Sequence, residues 1–168
     1  MAEYSLNELN QLDQERFTAA LAEIFEHTPA IAHQTWPQRP FATVAALHQS
    51  MVNVMQSLPQ EQQLALIRAH PDLGAKAKMT TASVQEQSSA GLDQLTLEEF
   101  ATFQALNQAY RDRFQFPFIV AVKAHTKDSI LAAFRQRLTH DFDTERQTAL
   151  AEIAKIAGYR LTALVNAD

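Results

Sequence analysis

The sequence predicts an all-α fold, a single-domain bundle of about seven or eight helices. Three observations carry that expectation. Apolar residues recur at helical spacing along most of the chain. Only 3 glycines occur in 168 residues, too few for a turn-rich β sandwich or barrel. One segment alone, FQFPFIVAVK at 114–123, reads as a strand. With no second strand to pair with, its backbone groups would stay unsatisfied, so an extended segment or turn is expected there. With 46% apolar and 20% charged residues, one domain over 1–168 with a substantial core is expected.

The elements follow in order. Ser5 and Glu8 have the spacing of a capping box and open a first short helix. Phe17, Leu21, Ile24 and Phe25 predict one apolar face of a second. HTPAIAHQTWPQRPF is punctuated by prolines and leaves room for a short helix around 30–36. Val44, Leu47, Met51, Val54 and Met55 form a long apolar stripe. Pro59 suits the first turn of a helix carrying Leu64 and Ile67. That helix should end at or just before His70, because Pro71 biases its predecessor away from helical geometry and cannot extend the ladder. Residues 72–95, DLGAKAKMTTASVQEQSSAGLDQL, are small, polar and weakly periodic, and too long for a passive connection. Thr96 and Glu99 then open a helix bearing Phe100, Phe103, Leu106 and Tyr110. Two more helices are expected, about 127–138 and about 144–165. No internal repeat or low-complexity tract is visible.

Composition narrows the chemistry. A net charge of -5 without a long basic run is unfavourable for nucleic-acid binding. The absence of cysteine excludes disulfides, thiolate nucleophiles and Cys-ligated zinc. His27, His33, His48, His70, His125 and His140 include no pair at metal-ligand spacing, so no metal is expected. MAEYSLNELNQ shows no basic segment followed by an apolar one, and no apolar run approaches the roughly 20 residues of a membrane span. LVNAD does not read as a peroxisomal or retention address. A cytoplasmic location is the default expectation.

Several residues invite both a structural and a functional reading. His70 at a helix C-terminus either serves the last carbonyls as a dipole partner or projects its imidazole into a pocket. Glu86 has capping-box spacing from Ser83. With Gln87 it also offers an acceptor beside an amide that donates and accepts, a match for a ligand rich in N–H and C=O groups. Arg160, in GYRL, is either a solvated helix arginine or an anion ligand. Asp72 suits a turn cap. Phe116, Pro117 and Phe118 read as core, and the backbone after them, if not helical, has amides free to meet a ligand. Singly, none of these signals is specific.

Together they are. HPDLG at 70–74, SVQEQSSAGL at 83–92, FQALNQAYRDRFQFPFIV at 103–120, IAGYRL at 156–161 and IFEHTPAIAHQTWPQRPF at 24–41 resemble the family of 2-oxo-4-hydroxy-4-carboxy-5-ureidoimidazoline (OHCU) decarboxylases of urate breakdown. The resemblance spans nearly the whole chain. It implies conversion of OHCU to (S)-allantoin and carbon dioxide, the last of three steps from urate, on a helical fold without metal or organic cofactor. It further implies that His70 is the catalytic acid/base, with Glu86 and Arg160 beside it in the catalytic set. The implied pocket is lined by Pro71, Ser83, Val84, Gln85, Glu86 and Gln87, and by the backbone through Phe118, Ile119, Val120, Ala121 and Val122. A small ureidoimidazoline is the implied ligand and a homodimer the implied assembly. The family often carries alanine then glycine after HPDL, where this chain has Gly74-Ala75.

Two other readings stand beside it. HPD between two helices also resembles the J-domain, a chaperone-partner module. That family has a strongly basic helix before the tripeptide, whereas PQEQQLALIRA has one basic residue and Leu73 follows the motif. A helical scaffold that has lost catalysis would not need His70, Glu86, Gln87 and Arg160 all in place.

Overall fold

The computed structural model of the chain describes residues 3–74, 85–88 and 90–167. Among these are eight α-helices of six residues or more, two 3₁₀ turns and one two-residue parallel strand pair. The fold is all-α, as expected. The chain divides into two compact units, Met1–Leu66 with Ala154–Asp168, and Ile67–Ile153.

In the first unit, α1 (Leu6–Gln11) opens on the expected capping box. Ser5 Oγ accepts from Glu8 N, and Glu8 Oε2 accepts from Ser5 N. α2 (Gln14–Ala20) is capped by Asp13, which accepts from Arg16 N. It is shorter than the apolar spacing suggested. The helix ends at Ala20, and turns run on to His27, whose φ is 47°. Leu21, Ile24 and Phe25 are nonetheless buried; consecutive turns bury them without one continuous helix.

α3 (Ala30–Thr35) runs into a 3₁₀ turn at Trp36–Gln38. α4 (Val44–Ser57) buries Leu47, Met51 and Met55 as its stripe predicts, plus Val52, while Val44 and Val54 are half-buried. α5 (Gln60–Arg68), whose last two residues belong to the second unit, begins one residue after Pro59, whose carbonyl accepts from Gln62 and Gln63. After the last helix, strand β2 (Val165–Asn166) pairs in parallel with β1 (Tyr4–Ser5).

In the second unit, α6 (Leu97–Phe114) opens on the Thr96–Glu99 capping box. Lys127 lies 2.9 Å from Glu99; that partner and the Thr96 backbone hold the carboxyl below its ordinary value. α6 stops where Gln115 turns left-handed, at φ 62°. Residues 116–121 are neither helix nor strand, and a 3₁₀ turn follows at Val122–Ala124. α7 (Lys127–Arg137) starts at Thr126, whose hydroxyl accepts from Ser129 N. α8 (Phe142–Leu164), whose residues from Ala154 on belong to the first unit, begins two residues before expectation, because Asp141 Oδ1 caps it by accepting from Thr144 N. That contact also lowers the Asp141 pKa.

The core of this unit is aromatic. Tyr110, Phe103, Phe114, Phe116, Phe118 and Phe134 are all buried, and Phe118 stacks on Phe134 at 3.7 Å between ring centres. Phe116 and Phe118 are core residues, as their sequence suggested. Among the described residues, no helix is long and apolar enough to cross a membrane.

Candidate functional site

The proline stop works as its local chemistry requires. α5 ends at Arg68, and the His70 N–H donates to Ile67 O at 3.2 Å, closing the last turn. His70 is 7% exposed, so its ring is withdrawn from solvent, and Pro71 beside it is half-buried.

The three residues after Pro71 are each held by a side chain. Asp72 accepts from Arg111 Nε at 2.9 and 3.1 Å and from Nη2 at 2.9 Å. Leu73 O accepts from Asn107 Nδ2 at 2.9 Å. Gly74 N donates to Gln87 Oε1 at 3.0 Å. Asp72 is therefore an ion-pair anchor rather than a turn cap. A cleft of about 720 Å³ lies beside this turn, lined by Asn107 and Arg111 among others. Among the described residues, none of the sequence-predicted site residues lines it.

Gln87 sits on a helical turn at 85–88. Its end is a Schellman arrangement: Leu92 N donates to Gln87 O, Gly91 N to Ser88 O, and Gly91 adopts φ 79°. A side chain at 91 would be strained there. The turn buries Gln87, half-buries Glu86 and leaves Gln85 exposed. The expectations for Ser83 and Val84, including the Ser83 cap on Glu86, lie outside the described residues.

The segment from Phe118 to Val122 is buried and held from behind. Arg137 donates through Nη1 to Ile119 O at 2.5 Å and places its guanidinium 4.3 Å from the Phe118 ring centre. Arg137 Nε in turn donates to Glu145, which is 0% exposed. Glu145 also takes the Tyr110 hydroxyl and His140 Nδ1. Burial first, and then this carboxylate, push the Tyr110 phenol far above its ordinary pKa.

On the same segment, Ala121 N donates to Glu152 Oε1 at 3.3 Å. A trans peptide is planar with its N–H opposite its C=O. Val120 is thus left with an N–H turned away from Arg137 and a C=O turned away from Glu152. Among the described residues, the N–H groups of Ile119, Val120 and Val122 take no hydrogen-bond partner. Buried amides of that kind are rare without a ligand or water.

Arg160 belongs to the other unit. It is not a solvated helix arginine: at 7% exposure it donates through Nη1 to Glu23 O and through Nη2 to Glu26 Oε2, both at 3.0 Å. Glu26 is itself fully buried. Of the predicted residues, His70, Pro71, Gln85, Glu86, Gln87 and 118–122 fall in one unit and Arg160 in the other.

Sequence reasoning passed over Asn107, Arg111, Arg137, Glu145, Glu152 and Glu26. Only Asn107 and Arg111 left a signal, the i,i+4 spacing that puts them on one helix face. Among the described residues, no group of three or more His, Asp or Glu side chains has a metal-binding arrangement.

Comparison with known proteins gives the context. The OHCU decarboxylase family profile matches residues 10–162. A 2-oxo-4-hydroxy-4-carboxy-5-ureidoimidazoline decarboxylase of Halalkalicoccus jeotgali is 45% identical over 98% of this chain and 93% of its own length. The uric acid degradation bifunctional protein PucL of Bacillus subtilis is 43% identical over 96% of this chain, which spans 33% of that protein. A solved (S)-allantoin synthase superposes with a TM-score of 0.78 at 28% identity. It covers 97% of this chain, and this chain spans about half, 54%, of that one.

Proposed function

We propose, given that this chain belongs to the OHCU decarboxylase family, that it decarboxylates OHCU to (S)-allantoin in urate degradation, with residues 1–168 acting as one catalytic domain. The observation that carries the reading is the 45% identity to a decarboxylase of that substrate across nearly the full length of both chains.

The chemistry suits these residues. The departing carboxylate sits on a carbon that also bears a hydroxyl and neighbours a C=N bond. When that carbon's bond to carbon dioxide breaks, the electron pair moves into the C=N, whose nitrogen takes a proton. The hydroxyl then gives up its proton and becomes a carbonyl, and the carbon bearing the ureido group gains one. The substrate carries its own electron sink. What remains for the protein is orientation, proton transfer and choice of face.

In this reading His70 binds the hydroxyl and carboxylate at the reacting carbon. It acts as acid/base directly or through a water it holds. Glu86 accepts from ureido and ring N–H groups. The backbone of 118–122 meets ring N–H and C=O groups, and Arg160 engages a substrate oxygen. The buried His70, the half-buried Glu86 and the unpartnered buried amides after Phe118 support those assignments. A partner-binding HPD loop is disfavoured, because Leu73 is buried and Asp72 is already bound by Arg111.

The test uses OHCU generated in situ, with its disappearance followed against the spontaneous rate. His70→Ala should lose about 10²-fold or more of the acceleration while its Tm stays near wild type. If His70 merely neutralised a helix end, the same change would cost about 0.3–1 kcal/mol of stability and leave turnover intact.

A further inference from the structure

We propose that Asn107 and Arg111, with Gln87, form a three-point clasp on residues 72–74 that positions His70 for the reaction. The proposal rests on the reading of His70 as the acid/base. The chain leaves α5 at Arg68, and the last backbone bond on this side is His70 N to Ile67 O. Pro71 has no N–H to give, so the peptide after His70 offers no donor there.

The tie comes from side chains instead, one on each of three successive residues. Arg111 takes the Asp72 carboxylate, Asn107 the Leu73 carbonyl and Gln87 the Gly74 N–H, all within 2.9–3.1 Å. Asn107 and Arg111 stand four apart on α6 and so reach the turn from one helix face. The backbone of His70 is thereby pinned on both sides, by its own helix end and by the clasp.

Asn107 supplies an independent pointer. It is 6% exposed, and its Oδ1 is buried without a hydrogen-bond partner among the described residues. A leucine of similar volume would avoid that unsatisfied acceptor. The amide is accounted for by its other end, the bond to Leu73. Placement is where such a contact acts, since a shift of about 1 Å at a reacting group costs up to about 10²-fold in rate.

The experiment compares wild type, Asn107→Leu, Arg111→Gln, Arg111→Lys and His70→Ala on OHCU generated in situ. It records kcat, KM, Tm and the enantiomeric excess of the allantoin. Asn107→Leu should lose about 10-fold in kcat, with KM within about twofold and Tm near wild type. Its enantiomeric excess should fall, because a loosened imidazole discriminates less between faces. Arg111→Gln should show the same pattern more weakly, and Arg111→Lys should recover part of it. Unchanged kcat and enantiomeric excess in Asn107→Leu and Arg111→Gln, with His70→Ala inactive, would overturn the clasp and leave the function standing. Wild-type turnover in His70→Ala would overturn the function itself. A kcat loss that only tracks a fall in Tm would also overturn the clasp. If Asn107→Leu does not fold, Arg111→Gln decides, since its half-exposed ion pair adds little to stability.

Discussion

His70 and Arg160 owe their buried positions to different physics. The first is local: a proline at the next position ends the helix, and anyone reading His70-Pro71 can infer where the ladder stops. The second is not. Arg160 pairs with Glu26, 134 residues away in sequence, and no spacing rule links them. This buried pair makes a sharp prediction. Arg160→Ala should strand the fully buried Glu26 carboxylate and cost about 3–5 kcal/mol, seen as a large drop in Tm. Arg160→Lys keeps the charge but loses the planar fork that reaches Glu23 O and Glu26 together. It should fold and turn over OHCU more slowly. A wild-type Tm for Arg160→Ala, measured by thermal denaturation, would contradict the account of that pair.

Helices were the most legible elements where a cap and a stripe agreed. Ser5–Glu8 and Thr96–Glu99 each form the box their spacing predicts, and α4 buries Leu47, Met51 and Met55. Legibility failed at one stripe. Phe17, Leu21, Ile24 and Phe25 are all buried, but turns after Ala20 do the work, and nothing between Leu21 and Thr28 breaks a helix on propensity alone. The segments held by Arg137, Glu145 and Glu152 were illegible for a further reason. Their partners come from other elements, as far as 35 residues away for Tyr110 and Glu145.

Helix packing also explains His48. Its Nε2 lies 2.7 Å from Ala154 O, and its ring sits where a Cβ on Gly158 would come within 3.3 Å. Gly158→Ala should gain about 0.8–1 kcal/mol in helix propensity. It should lose about 1–3 kcal/mol in overpacking against a ring that is hydrogen-bonded in place. A small net fall in Tm is expected; a rise would show that the ring yields freely.

At the scale of the whole molecule, the buried phenol of Tyr110 predicts how the protein meets alkali. In the unfolded chain this group ionises near 10.0, whereas the folded protein keeps its proton far higher. Below about pH 10 both states hold the proton, and the stabilisation is present in full. As pH rises beyond that value, the unfolded state releases the proton and the folded state does not, so stability falls. Tyr110→Phe should flatten that alkaline arm in denaturant titrations across pH 9–11, because the group that couples unfolding to proton loss is gone. An unchanged slope would place the alkaline loss elsewhere.

The function asks more of the molecule than any one group, since a faster reaction and a single product hand must emerge together. OHCU decays without help, and decay in free solution cannot favour one hand of product. The most direct measurement is therefore the optical rotation of allantoin formed from OHCU generated in situ, with and without the protein. The account predicts accelerated formation of the dextrorotatory or laevorotatory form alone, assigned as the S enantiomer by chiral chromatography. Racemic allantoin appearing at the spontaneous rate in the presence of the folded protein would contradict it.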